Sequence, residues 1–108
     1  MKHIAREEIG QLIQQSNEET VALYIQTPLC GTCKVGKRMV DLALTVYEAE
    51  HPSPQLGACN LNEVPELAET YSITSVPCLL FIKRGIAVKQ MYAMKSVDYL
   101  YENMKNYF

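Results

Sequence analysis

Apolar residues in the first fifteen positions recur at steps of three and four, with Ile9, Leu12 and Ile13 following Glu8. That spacing predicts an amphipathic helix over about residues 5 to 16, closed by the turn chemistry of Ser16-Asn17. TVALYIQT has the β-branched and aromatic content of a buried strand, bounded by Asn17-Glu18-Glu19 before it and Pro28 after it, and is placed at about 20 to 26. From Cys33 the apolar residues Val35, Met39, Leu42, Val46 and Ala49 advance by four and three, predicting a helix of about 20 residues with that face turned inward. His51-Pro52-Ser53-Pro54 ends it, because proline lacks the helical donor and biases its predecessor out of the helical region.

A strand near Leu56–Leu61 and a short helix opened by Asn62 and Pro65 and running to Tyr71 come next. CLLFIK, Arg84-Gly85 and IAVKQMY read as an antiparallel hairpin on a two-residue turn. Ser96 can cap a last helix on which Val97, Leu100, Tyr101, Met104 and Phe108 share a face. Helix-linked strands followed by a hairpin define an α/β fold, a three-layer α/β/α sandwich around a mixed, mainly four-stranded sheet. The expected organisation is one domain over residues 1–108, with no repeat or linker. MKHI is too short to decide whether it adds an edge strand.

Composition narrows the function. Twelve acidic and ten basic residues give a formal charge of −2, which lacks the basic field that nucleic acid demands. The longest apolar run, Val76–Ile82, falls far short of the ~20 residues needed to span a bilayer, so no membrane role is expected. The first residues carry acidic and amide groups where a secretory signal would have an apolar stretch of about 7 to 15 residues, and the expected location is cytoplasmic. Four cysteines, at 30, 33, 59 and 78, are too few and too unevenly spaced for a secreted disulfide framework.

Cys30-Gly31-Thr32-Cys33 stands between a predicted strand and a long predicted helix, the context in which a C-x-x-C pair carries redox chemistry. Two cysteines three apart in a first helical turn lie close to the ~5.5 Å Cα separation a relaxed disulfide prefers. Unpaired amides and the positive helix end favour ionisation of the first thiol below the free value of about 8.5, while the second lies a turn deeper. Cys30 is therefore the expected attacking thiolate and Cys33 the resolving thiol. Gly31 leaves room for a partner chain, and Thr32 is a small, uncharged spacer. A zinc knuckle would want a second close ligand pair, whereas Cys59 and Cys78 stand far apart and His3 and His51 are isolated, so no metal and no cofactor are expected. Cys59 reads as a core residue and the two histidines as solvated surface. Tyr92, Tyr99, Tyr101, Tyr107 and Phe108 read as helix packing against the sheet.

With CGTC after a strand, TYSITSVPCLLFIKRG with a proline just before a strand, and a closing hairpin and helix, the chain resembles the thioredoxin family over nearly its whole length. The resemblance implies that Pro77 is a cis-proline and that Val76 beside it pairs with an extended substrate segment as an added strand. It implies protein disulfides as substrates and a thiol reductase or small thiol as electron donor. The chain departs from the family pattern at four places. Leu29 stands for the active-site tryptophan, Thr32 for the proline between the cysteines, Tyr24 for a buried acid, and Ala58 for that acid's lysine partner. Deprotonation of Cys33 would then rely on water or on the Tyr24 phenol. The expected function is a cytosolic thiol–disulfide oxidoreductase that reduces protein disulfides. The alternative from another class is a binding module that keeps the fold and uses the Val76-Pro77 groove to hold a partner.

Overall fold

The computed structural model describes residues 1–108. In chain order the elements are β1 (Lys2–His3), α1 (Arg6–Gln15), β2 (Val21–Gln26), α2 (Gly31–Glu48), β3 (Gln55–Asn60), α3 (Glu66–Thr70), β4 (Cys78–Lys83), β5 (Ile86–Met91) and α4 (Val97–Tyr107). The strands form one sheet in the order β1-β3-β2-β4-β5, parallel among β1, β3 and β2 and antiparallel from β2 through β4 to β5. The α/β sandwich is as the sequence predicts, but the sheet has five strands, not mainly four. The opening segment supplies the fifth, with Lys2 opposite Gly57 and the Ile4 amide donating to the Ala58 carbonyl at 2.7 Å.

β2 is central because Val21 to Ile25 is an unbroken apolar run that can be covered on both faces. Val21, Leu23 and Ile25 point to one core layer, packed with Ile9 and Leu12 of α1, Leu67 of α3, and Leu80 and Ile82 of β4. Ala22 and Tyr24 point to the other, with Val40 and Ala43 of α2, Phe81 of β4, and Leu100 and Met104 of α4. The Phe81 ring meets Tyr107 and Phe108 at centroid distances of 5.4 and 5.1 Å, the helix-on-sheet packing expected of the late aromatics. Tyr92 departs from that expectation and lies in the loop after β5.

The α2 face is corrected. Val35, Leu42 and Val46 are 58, 57 and 47% exposed, and the buried positions are Cys33, Gly36, Val40, Ala43 and Tyr47. Both sets obey helical spacing. The inward one is small at Cys33, Gly36 and Ala43 because α2 runs close over the sheet and against α4, so hydropathy alone selects the wrong stripe. His51 is also not simply solvated: its ring stacks on Tyr47 at 4.2 Å, and its Nδ1 lies 3.0 Å from the Tyr47 carbonyl at the end of α2.

The hairpin turn is held from α1. Arg84 and Gly85 both adopt positive φ, 54° and 75°, as the tight turn between β4 and β5 requires. Their amides donate to the carbonyl and hydroxyl of buried Ser16 at 2.8 and 2.9 Å. At the opposite edge, β1 depends on Gly57. A Cβ there would collide with the Ile4 side chain and stand 3.0 Å from the Lys2 carbonyl. Gly57→Ala is expected to destabilise the fold by about 1–3 kcal/mol, read from a urea midpoint. An unchanged midpoint would mean that β1 detaches at no cost.

Candidate active site

Cys30 occupies the N-cap of α2 with extended backbone, and its sulfur accepts the Cys33 amide at 3.1 Å. The two cysteines are joined as a disulfide with Cα atoms 5.2 Å apart, the separation the C-x-x-C spacing predicts. They differ in access. Cys33 is fully buried beneath the first turn, whereas Cys30 is half-buried at the surface with exposed Leu29, Gly31 and Thr32 beside it. Leu29 is 99% exposed, so an apolar side chain with no packing role in the chain stands next to the accessible sulfur. The Thr32 hydroxyl lies 3.4 Å from that sulfur. In the reduced state, the amide at the helix end that now meets the Cys30 sulfur would stabilise a thiolate there.

Beneath the pair, Tyr24 projects from the middle of β2 and donates its hydroxyl to the Cys33 carbonyl at 2.6 Å. Ala58 lies beside it in register on β3 and offers it no charge. Burial, with a smaller contribution from the negative charge of Asp41, pushes the phenol up to about 12. A group whose proton is committed to a carbonyl, and whose ionisation lies so far above neutrality, is not a base for Cys33. Gly36 makes the room. A Cβ there would stand 2.5 Å from the Tyr24 hydroxyl and 3.1 Å from Cγ of Met94. Its sequence signal is a glycine inside a helical pattern, which costs about 1 kcal/mol relative to alanine and so points to a packing demand.

Register brings the remaining predicted residues to the same end of the sheet. Ile25 pairs with Cys78, so Pro77 arrives beside the segment that leads from β2 to Cys30. The Val76–Pro77 peptide bond is cis, Pro77 is buried, and neither the amide nor the carbonyl of Val76 has a hydrogen-bond partner within the chain. Tyr92 fixes this loop: its hydroxyl accepts from the Thr74 amide at 3.2 Å and from Nε2 of Gln90 at 2.8 Å. Val76 and Pro77 border a groove of about 460 Å³ with Thr32, Val35, Gly36 and Met39 on one wall and Tyr92–Lys95 on the other. The second wall escaped the sequence reading because nothing local to residues 92–95 marks it.

Cys59 and Cys78 lie on the other face of the sheet, both in register with Ile25, and are fully buried. Burial pushes their thiols up to about 12 and about 11, which leaves them protonated and unreactive. No group of three or more histidine, cysteine or acidic side chains gathers in an arrangement that could hold a metal ion.

A five-stranded mixed sheet with a cysteine pair at the head of its longest helix defines the class of thioredoxin-fold proteins. The thioredoxin family model matches residues 1–106, and the chain belongs to the thioredoxin family. A thioredoxin-like protein of Bacillus subtilis, YusE, is 37% identical over 105 residues, covering 97% of this chain and 92% of its own length. A Chlamydia caviae thioredoxin is 35% identical over 71 residues, 66% of each chain. Among solved structures, Fasciola hepatica thioredoxin superposes with a TM-score of 0.79 at 20% identity, covering all of both chains, which is a likeness of fold. Family and cysteine pair together support thiol–disulfide oxidoreductase chemistry in general.

The Tyr24–Gly36 contact makes a double-mutant prediction. Tyr24→Phe removes one hydrogen bond and should cost about 1 kcal/mol. Gly36→Ala should destabilise the parent protein, because the clash with the hydroxyl outweighs the helix propensity gained. In the Tyr24→Phe background the clashing oxygen is gone, and the cost of Gly36→Ala should fall by at least about 0.5 kcal/mol. Urea midpoints of the four proteins measure this, and additive effects would refute the contact.

Proposed function

We propose that residues 1–108 form one domain that acts as a cytoplasmic protein-disulfide reductase, with Cys30 as nucleophile and Cys33 as resolving thiol. The observation that carries this reading is the asymmetry of the pair: one sulfur is reachable and meets a helix-end amide, and the other is fully buried behind it. The Cys30 thiolate attacks one sulfur of a substrate disulfide, forming a mixed disulfide and expelling the other substrate sulfur as a thiolate, which takes a proton from water. Cys33 then gives its proton to water and attacks the Cys30 sulfur, expelling the second substrate thiolate. The substrate has gained two electrons and the protein holds the Cys30–Cys33 disulfide, which a thiol reductase or small thiol must reduce.

The unpaired amide and carbonyl of Val76 support docking of an extended substrate segment as a short added strand, with its side chains in the groove beyond Thr32. Gly31 adds no side chain to obstruct approach to Cys30. No helix is long and apolar enough to cross a membrane. The cytoplasmic assignment rests on the sequence reading, and a reducing compartment suits the two free thiols in the core.

Cys33→Ser is expected to accumulate mixed disulfides with substrate proteins, and Cys30→Ser to accumulate none, as read on non-reducing gels. Equal trapping by both variants, or trapping through Cys59 or Cys78, would contradict the assigned roles. Resolution is expected to be limited by proton removal from Cys33, since the phenol beneath it is no base. Tyr24→Asp should then speed release from a preformed mixed disulfide by about a hundredfold or more in stopped flow between about pH 7 and 9, as a positioned base commonly does. The same substitution buries a carboxylate beside Ala58 and should lower stability by about 1–4 kcal/mol. A folded Asp variant that resolves no faster would show that proton removal is not limiting.

A further inference from the structure

The chain carries a formal charge of −2, yet the three segments that frame the accessible sulfur contain no acidic residue. Residues 27–38, 71–77 and 92–96 carry only cations: Lys34, Lys37, Arg38 and Lys95. Lys37 pairs with Asp41 at 3.1 Å, a carboxylate it shares with the N-terminal amine. Lys34, Arg38 and Lys95 have no carboxylate partner. Besides Asp41, the nearest carboxylates beyond these segments are Glu63, 3.6 Å from His3 in a pair that is ionic only when the imidazole is protonated, and exposed Asp98, three residues past Lys95.

One of the three cations lines the groove, and the other two lie on α2 outside its lining. Lys95 lines its mouth, Arg38 stands one turn along α2 from Val35, and Lys34 borders a smaller polar notch on the other side of the cysteine pair with Gln26, Thr27 and Asn60. Lys95 has φ 58°, the left-handed region in which glycine is at ease and a lysine is strained. A cation therefore occupies a position that the backbone would prefer to give to glycine. Its amine lies over the Tyr99 ring at 4.6 Å, which holds it near the groove without neutralising it.

We propose that the preferred substrates are protein disulfides whose cysteine lies in an apolar segment flanked by acidic side chains. The apolar residues fill the groove along Val35, Met39 and Met94, and the acidic flanks meet Lys95 on one side and Lys34 and Arg38 on the other. A single-sign rim around a cleft raises the local concentration of oppositely charged partners, and salt screens the effect. The inference rests on the reductase reading above and goes beyond it in naming the substrate's charge.

The test uses three synthetic peptides, each dimerised through its one cysteine, with the same valines around that cysteine and flanks of aspartate, serine or lysine. The reduced protein converts each dimer to two peptide thiols and becomes the Cys30–Cys33 disulfide, so the electrons balance. Each rate is divided by that of dithiothreitol with the same dimer, which removes the peptides' own reactivity. At about 0.01 M salt, where screening extends over ~30 Å, kcat/KM for the aspartate dimer should exceed that for the lysine dimer about tenfold or more. At about 1 M salt, with screening over ~3 Å, the ratio should approach one. Lys95→Gly combined with Lys34→Ser and Arg38→Ser should collapse the low-salt ratio to below about threefold, and Lys95→Gly alone should not lower the urea midpoint. Equal normalised rates at low salt, or a ratio that survives the triple substitution, would overturn the charge inference alone, provided neutral hydroxyethyl disulfide is still reduced. Failure to reduce any of these disulfides would overturn the reductase reading and this inference with it.

Discussion

The bond from the Tyr24 hydroxyl to the Cys33 carbonyl ties the buried end of the cysteine pair to the middle of the central strand. Other placements follow from it. β2 must be covered on both faces for a phenol to sit there dry, and Ala58 must leave space beside it. Gly36 must lack a side chain so that α2 can pass over the ring. A neutral donor at this point needs no buried counter-ion, whereas a carboxylate without its cation would cost several kcal/mol. The chain thus gains an uncharged anchor for α2 and loses an internal base for its second thiol.

That exchange separates two properties that one buried acid would combine. Position of the first turn is set by hydrogen bonding and packing, and in the proposed mechanism proton removal from Cys33 is left to solvent. Stability is then insensitive to the protonation of this site across the neutral range, because the phenol ionises only at about 12. The sign follows from a folded-state value raised above the ordinary one of 10: the neutral form is favoured by folding, and stability is lost only as pH climbs past the unfolded value.

The sequence made the element order, the hairpin turn and the cysteine pair legible because each depends on residues adjacent in the chain. Arg84-Gly85 is a turn wherever it is placed, and Cys30 caps a helix that its own successors specify. The inward face of α2 was illegible for the opposite reason. Cys33, Gly36 and Ala43 are buried because β2 and α4 approach closely there, and small residues score as indifferent in any periodicity. Residues 92–95 became part of the groove only through the packing of the loop after β5 against α2. Pro77 was placed by family resemblance, and β1 needed the partner strand to exist at all.

Four cysteines in so short a chain pose a problem of selectivity, and the sheet solves it by geometry. Cys59 and Cys78 flank Ile25 on the face opposite Tyr24, so the layer of β-strands lies between them and the layer into which α2 packs. Burial holds both in the thiol form, and a thiol at about 11 or 12 supplies almost no nucleophile at neutral pH. Cys33 is equally buried, yet it lies one helical turn from the only sulfur it needs to reach. In the proposed mechanism it reacts only after a mixed disulfide has formed at Cys30. In that mechanism, access and the burial that keeps the core thiols protonated together select Cys30 as the first sulfur to meet a substrate, and its access is set by α2 beginning where β2 ends.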